Sequence, residues 1–207
     1  MAPALRALLN SKPFLWALLA VPAAHILFRY AGEDLWPDEL VGPSGEWAAR
    51  LIIVALMLAP LAMLLPRARA IGWLVRRRRA FGVAAFCYAL LHLAFYVAEM
   101  ETLANILAEL WALGIWTGWA ALLLMLPLAL TSNDASVRAL KRGWKKVHRL
   151  AYPAAMLILI HWIVVHNALI EALLQFAPLA LLETWRLARL LGPGRSMNSP
   201  LQSKERP

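Results

Sequence analysis

Six apolar stretches, each long enough to cross a lipid bilayer, occupy most of this chain. A transmembrane helix needs about 20 mainly apolar residues to cross a hydrocarbon core of roughly 30 Å. The stretches are Pro13–Tyr30, Ala48–Pro66, Ala80–Ala98, Leu110–Leu130, Val147–Asn167 and Ile170–Leu190. Apolar residues make up 62% of the chain, against about half in soluble domains. The sequence therefore predicts an all-α, polytopic integral membrane protein with six transmembrane helices.

The charge pattern predicts the orientation of these helices. Basic residues gather in three blocks, Arg67–Arg79, Arg138–Arg149 and Arg186–Arg206, and acidic residues occupy the loops between, at Glu33–Glu46 and Glu99–Glu109. Loops rich in Lys and Arg stay in the cytoplasm, and an even number of spans then leaves both termini there. The net charge of +9 is thus explained by topology, and no nucleic-acid partner is expected.

The domain organisation is simple. Residues 1–191 are predicted to form one transmembrane domain, and residues 192–207, rich in Gly, Pro, Ser and charge, a disordered cytoplasmic tail. The sequence reveals no internal repeat, no second domain and no glycine-rich nucleotide-binding fingerprint. If this protein moves electrons, both donor and acceptor must therefore be separate molecules.

Three histidines stand out within or beside the apolar stretches: His92, His148 and His161. An ionisable residue inside a membrane is a functional-site hypothesis, and imidazole is the commonest metal ligand, including at haem iron. His92 lies 13 positions after Arg79, and His161 lies 12 after Arg149. At 1.5 Å per residue, both should lie about 18–20 Å from the cytoplasmic collar. Equal depth on two helices is what a bis-histidine haem between them requires.

His148 should lie about 20 Å below His161, near the cytoplasmic surface. It could hold one side of a second haem, although the third stretch has no histidine at that level. The two histidines are about 140° apart around an ideal helix, so they share a face only if the helix bends, for which Pro153 is the candidate. Simpler interpretations stay open: a structural, hydrogen-bonded role for His92 and His161, and solvation for His148 and His166.

Small and aromatic side chains surround these histidines in the sequence. Small residues let helices approach closely or leave room for a flat macrocycle; they are Gly82, Ala84, Ala85 and Ala89, then Pro153, Ala154 and Ala155. The aromatic residues expected to line such a macrocycle are Phe86, Tyr88, Phe95 and Tyr96. The single cysteine, Cys87, is predicted to be a small core residue.

Three segments resemble a known family. The segment RRRRAFGVAAFCYALLH, ending at His92, resembles the third span of ferric-reductase-like transmembrane domains. The segment LALTSNDASVRALKRGWKKVHRLAYPAAMLILIH, ending at His161, is similar to the haem-binding membrane subunit of the bacterial system that repairs oxidised methionine in periplasmic proteins. A weaker match is GEWAARLIIVALMLAPLA, in the second stretch. By position, His92, His148 and His161 match the family's haem-ligating histidines.

The resemblance implies a b-type cytochrome of the bacterial inner membrane with one or two haem b groups and with FMN as a further cofactor. Electrons would come from the quinone pool or a cytoplasmic flavin reductase. They would pass to a periplasmic molybdopterin-containing methionine sulfoxide reductase subunit, which itself reduces the sulfoxide. Two-haem relatives carry another histidine further along helix three, where this chain has Asn105 and Ile106. The family's LG-x-x-W pattern is also shifted, to Leu140–Trp144, in a predicted cytoplasmic loop.

Two other functions stay open on the sequence alone. A stand-alone transmembrane reductase of ferric iron or another small oxidant would use the same histidines as haem ligands. A transporter or proton channel would use them as relays, and the absence of b-type haem absorption would favour it.

Overall fold

The computed structural model describes residues 11–32 and 35–191, and within them the chain is almost entirely helical. The helices are α1 Lys12–Gly32, α2 Pro37–Leu64, α3 Arg69–Met100, α4 Leu103–Glu109, α5 Leu113–Leu130, α6 Asp134–Leu140, α7 Arg142–Val147, α8 Ala151–His166 and α9 Leu169–Leu191. A 3₁₀ turn, His148–Leu150, joins α7 to α8. The predicted disordered tail, residues 192–207, lies outside the described residues.

Five segments of the described chain are long and apolar enough to cross a membrane. They are α1, α2, α3, α5 and the run Arg142–His166, which ends with α8. The all-helical, multi-pass architecture is therefore confirmed. The sixth predicted span coincides with α9, but this helix carries Glu171, Glu183, Arg186 and Arg189 and is not among the five. Six spans, with both termini in the cytoplasm, stay a prediction.

Helices α2 and α3 each begin 11 residues before the predicted stretch. The start of α2 has the signals of a helix N-terminus: Pro37 occupies the first turn, and the Glu39 side chain accepts a hydrogen bond from the Trp36 backbone N–H at 3.3 Å. Proline suits this position because its missing N–H would have no helical partner, and acidic groups there favour the helix dipole. The early start matters because the added turns of α2 carry Val41 to Gly45.

The core lies around α2, which packs most extensively against α3, while α5 packs most extensively against α8. Ala84 and Ala85 of α3 and Ala154 and Ala155 of α8 are all buried in this core. Close helix packing is therefore the role of these four small residues. Gly82 and Ala89 differ, because each lines a cavity.

Tyr88 anchors α3 to α1 through the backbone. Its hydroxyl donates to the Leu19 carbonyl at 2.8 Å and accepts from the Ala23 N–H at 2.7 Å. These two groups are four residues apart and would pair with each other in a regular helix. Pro22 lies beside them in α1, so Tyr88 satisfies backbone groups where a proline disturbs the helix.

Most of the aromatic residues predicted to line the site belong to the packing instead. Phe95 packs edge-on against Tyr30, with ring centroids 5.5 Å apart, and Phe86 packs against the main core. Of the four predicted residues, Tyr96 alone lines the cavity between the histidines. Those predictions for Phe86, Tyr88 and Phe95 are wrong, because Tyr88 and Phe95 pack against α1 and Phe86 packs against the main core. Cys87 is exposed, which corrects its predicted place in the core.

Candidate functional site

Two imidazoles from different helices meet in a cleft among α2, α3, α5 and α8. The ring centroids of His92, on α3, and His161, on α8, are 5.9 Å apart, and the ring planes are nearly perpendicular at 87°. The prediction that these two histidines lie at one level is confirmed. His148 does not line this cleft.

Each of the two imidazoles is held by a backbone carbonyl of a neighbouring helix. His92 Nδ1 donates to the Val41 carbonyl of α2 at 2.8 Å, and His161 Nδ1 donates to the Gly114 carbonyl of α5 at 2.7 Å. A carbonyl can only accept, so the proton lies on Nδ1 in both rings. Within the described residues neither Nε2 has a hydrogen-bond partner, and unprotonated Nε2 is the form that binds a metal.

The same two helices bring a glycine against each ring. A Cβ added to Gly45 would lie 2.8 Å from His92 Nδ1, and one added to Gly118 would lie 2.8 Å from both Cε1 and Nδ1 of His161. Contacts this short are overlaps, since ordinary contact begins at about 3.4 Å. Both positions therefore require glycine so that the Nδ1 edge of the imidazole can approach the neighbouring helix closely.

The same short arrangement of carbonyl, hydroxyl and glycine residues contacts a histidine in both α2 and α5. In α2 the carbonyl that holds histidine belongs to Val41, the hydroxyl residue Ser44 follows three positions later, and Gly45 comes next. In α5 the same offsets give Gly114, Thr117 and Gly118. No internal repeat was expected from the sequence. The one identical residue of the two five-residue segments is the final glycine, preceded by Ser in one and Thr in the other, and this is too short a signal to detect without the contacts.

The hydroxyl of each repeat is buried and bonds to the carbonyl that holds the histidine. Ser44 Oγ donates to the carbonyls of Leu40 and Val41 at 2.7 and 2.9 Å. Thr117 Oγ1 donates to those of Leu113 and Gly114 at 2.8 and 2.7 Å. Ser44 and Thr117 are 0% and 1% exposed, and they are the buried polar side chains of the described ranges.

The rest of the cleft is mostly apolar and wide. Its empty space is about 860 Å³, including the open mouth, and its apolar lining includes Ala48, Ala49, Ala89, Ala121, Leu122 and Met125. Glu46, Tyr96 and His166 add polar groups to the wall. The Tyr96 hydroxyl is buried with no hydrogen-bond partner within the described residues. His166, expected to be merely wet, thus lies at the cavity wall.

A second, smaller cavity holds the third candidate histidine. His148 stacks on Trp144 with ring centroids 3.8 Å apart. Its Nδ1 donates to the Trp144 carbonyl at 3.2 Å, and its Nε2 lies 3.3 Å from Ser132 Oγ. Arg78 and Arg79 also line this cavity. Both nitrogens of His148 therefore have protein neighbours, unlike those of the other two histidines.

The two cavities adjoin along the bundle, since Met125 lines both. The 3₁₀ turn His148–Leu150 interrupts the helix between His148 and His161. This irregularity precedes Pro153, the residue expected to cause a bend. His148 and His161 line different cavities, so this irregularity does not bring them to one face of the helix.

An ion pair links the wall of this second cavity, called the lower cavity from here on, to the start of α6. Arg79 donates to Asp134 at 2.6 Å, linking α3 to the start of α6. The hydrogen bond from Arg79, followed by its positive charge, lowers the pKa of the Asp134 carboxyl. Asp134 therefore stays ionised at neutral pH and helps to hold Arg79 in place.

Within the described residues no cluster of three or more His, Cys, Asp or Glu side chains could hold a bare metal ion. Two imidazoles suffice only for a metal that brings its other ligands with it, as iron does in a porphyrin. Fold and cleft together define a class: multi-pass membrane proteins with a paired-histidine site.

Comparison with known proteins shows which membrane-protein family the chain resembles. The family described as "Ferric reductase like transmembrane component" matches residues 44–159, a range that includes His92 and His148 and ends two residues before His161. A relative from Azospira oryzae is 34% identical over 215 residues, covering 96% of this chain and 88% of the relative.

Two further relatives show the same likeness. One from Xanthomonas oryzae pv. oryzae is 36% identical, covering 76% of this chain and 72% of the relative. One from Xanthomonas axonopodis pv. citri is 36% identical, covering 74% and 70%. All three are named protein-methionine-sulfoxide reductase heme-binding subunit MsrQ.

The chain therefore belongs to the ferric-reductase-like transmembrane family and, within it, to the protein-methionine-sulfoxide reductase heme-binding subunits. No solved structure gives a significant match. The resemblance drawn from the sequence is confirmed.

Proposed function

We propose that this chain is a b-type cytochrome that carries electrons across the bacterial inner membrane to a periplasmic methionine sulfoxide reductase, with His92 and His161 as axial ligands of one haem. The observation that carries the proposal is the pair of imidazoles 5.9 Å apart, each with Nδ1 bonded to a carbonyl. The names of the relatives agree with it.

The spacing of the rings fits a metal between them. Metal–imidazole bonds are roughly 2.0–2.1 Å long, and each ring centre lies roughly 1 Å beyond its nitrogen. Two imidazoles on one metal therefore have centroids roughly 6 Å apart, close to the observed 5.9 Å. The cleft walls formed by α2 and α5 contain alanines, whose small side chains leave the space that a flat macrocycle needs.

When bound, haem supplies one-electron transfer, and the protein's part is to set its potential and exclude competing reactions. The carbonyls of Val41 and Gly114 fix the tautomer and orientation of the two ligands. The apolar wall limits water, which strengthens every electrostatic contact within. The unpaired Tyr96 hydroxyl is placed to donate to a carboxylate, the polar group that a haem carries.

Donor and acceptor would be separate molecules at opposite faces of the membrane. The acceptor in this proposal is a periplasmic subunit with a molybdopterin cofactor, and the donor is the quinone pool or a cytoplasmic flavin reductase. Arg78 and Arg79 at the lower cavity suit an anionic group such as the phosphate of FMN. His148 stays a candidate ligand for a second haem in that cavity.

The proposed topology rests on the distribution of basic residues among the loops. Residues 1–191 would form one domain of six spans, with α9 as the sixth and both termini in the cytoplasm, where residues 192–207 would form a disordered tail. The basic residues around α6 and α7 support a cytoplasmic loop there.

Haem content of purified variants tests the ligand assignment. The detergent-solubilised protein should contain protohaem by the pyridine haemochrome assay. His92→Ala and His161→Ala should each lose most of it, since removing one ligand abolishes the pair. His25→Ala, at an exposed position of α1, is the matched control. Equal haem content in all four proteins would overturn the assignment.

One alternative function has an observation in its favour. The matching family is described as ferric-reductase-like, so a stand-alone reductase of ferric iron or another small oxidant is the second candidate. Reduced protein that is oxidised rapidly by chelated ferric iron and not by the sulfoxide reductase subunit would favour it. The opposite pattern supports the proposed function.

A further inference from the structure

The carbonyls that hold the two histidines are shared. Val41 accepts from His92 and also from Ser44, and Gly114 accepts from His161 and also from Thr117. A carbonyl oxygen has two lone pairs. Each hydrogen bond that the oxygen accepts withdraws electron density from it, and this weakens the other hydrogen bond that the same oxygen accepts.

This sharing is not simply how a buried hydroxyl finds a partner. Ser and Thr in helices commonly bond to a carbonyl one turn back, and Ser44 and Thr117 already do so, to Leu40 and Leu113. Each hydroxyl has one hydrogen, which it shares with a second carbonyl, and in both cases this second acceptor is the carbonyl that holds a histidine. The same hydroxyl, carbonyl and glycine offsets recur in two helices with different sequences, and each serves a different imidazole.

We propose that Ser44 and Thr117 are positioning residues that set the reduction potential of the site by moderating the hydrogen bonds that His92 and His161 donate to the carbonyls of Val41 and Gly114. This inference rests on the proposed function, since it assigns these hydroxyls a role towards the haem. It adds two residues, neither of which touches the haem iron, to the residues that control its chemistry.

The direction of the effect follows from ligand basicity. A strong acceptor on Nδ1–H makes an imidazole a more basic ligand, and a more basic ligand favours ferric over ferrous iron. Ser44 and Thr117 weaken that acceptor, so they raise the potential. Removing either hydroxyl should therefore lower it. Hydrogen bonding around the ligands is one of the established ways in which a protein adjusts haem potential.

Redox titration of the holoprotein measures the effect. Ser44→Ala and Thr117→Val should each lower the ratio of ferrous to ferric haem at a fixed potential by about threefold, or about 28 mV at 59 mV per tenfold change. Ser44→Thr and Thr117→Ser keep a hydroxyl and should stay near the wild-type value. Thr184→Val is the control, because Thr184 donates to Ala180 one turn back and neither residue contacts a histidine of the cleft.

A haem-free measurement separates this inference from the proposed function. In the solubilised apoprotein, the Nδ1–H proton resonances of His92 and His161 should move downfield in Ser44→Ala and Thr117→Val respectively, as their bonds to carbonyl strengthen. Unmoved resonances, or potentials that match Thr184→Val, would overturn the inference while leaving haem binding intact. A wild-type protein that binds no haem would overturn the proposed function instead.

Discussion

The glycines beside the two histidines provide the sharpest test of the cleft. Alanine at position 45 or 118 would place a Cβ 2.8 Å from the His92 or His161 ring. Restoring a 3.4 Å contact requires the ring or the helix to move by about 0.6 Å. Such a shift would stretch the Nδ1 bond to its carbonyl and move Nε2 away from the position that a shared metal needs.

Each substitution has two opposing effects. Replacing a helical glycine with alanine usually stabilises by roughly 0.5–1 kcal/mol, because the unfolded chain loses conformational freedom. Overpacking a tight site costs about 1–3 kcal/mol. The first effect acts on folding and does not change haem binding by the folded protein, so the overpacking cost alone acts on haem affinity, which should fall by about 5- to 150-fold.

Haem affinity of Gly45→Ala and Gly118→Ala can be measured by titrating apoprotein with haem and following the absorbance. The control is Gly72→Ala on α3, whose added Cβ would meet only the end of the Arg76 side chain at 3.7 Å. That variant should bind haem as the wild type does. If all three variants bind haem equally, then His92 and His161 do not lie against these glycines and the cleft described above is incorrect.

Four further predictions concern other parts of the molecule. Tyr88→Phe removes the hydroxyl between Leu19 and Ala23 and should destabilise the protein by about 0.6–1.7 kcal/mol, measured by thermal unfolding in detergent against Tyr30→Phe, which alters an exposed tyrosine of α1; equal melting temperatures would contradict the anchoring role. Asp134→Asn should lower the melting temperature slightly at pH 7 and progressively less as the pH is lowered below the ordinary carboxyl pKa, because the lowered pKa of Asp134 makes its contribution complete above the ordinary carboxyl pKa and lost as the pH falls through the lowered value; an effect that stays the same size throughout an acid titration would exclude the ion pair as its cause. His148→Ala should leave the bis-histidine spectrum of the upper haem intact and, if a second haem is bound, remove that haem alone; loss of the upper spectrum would show that the two cavities are not separate. His166→Ala should retain haem, and loss of haem would assign this cavity-lining histidine a ligand role.

The fold was largely predictable because a membrane-spanning helix requires a long apolar run, which is visible in the sequence. The apolar runs predicted the bounds of α1, α5 and α8 closely. In lipid no water is present to bond with an interrupted backbone, so an apolar run of this length forms one continuous helix. The starts of α2 and α3 were missed because charged residues interrupt the apolar pattern in their first turns, together with prolines in α2. Those missed turns of α2 hold Val41, Ser44 and Gly45.

The candidate site was predictable only in part. His92 and His161 lie at nearly the same number of residues from a cluster of basic residues. Because the rise per residue of a helix is constant, this spacing predicted that they lie at a similar depth. The partners of the two rings were not predictable, since backbone carbonyls carry no side-chain signature. Gly45 and Gly118 were assigned no role from the sequence, because their role depends on which side chain lies opposite. Which nitrogen of each imidazole is free also follows only from the contacts.

Electron paramagnetic resonance of the oxidised protein tests the central claim most directly, because the signal of low-spin ferric haem reports the identity and relative orientation of its axial ligands. Two imidazoles with planes at 87° predict a strongly anisotropic low-spin signal, lost in His92→Ala and in His161→Ala and retained in His25→Ala. A high-spin signal in the wild-type protein, or a low-spin signal that survives both ligand substitutions, would contradict the paired-histidine haem site.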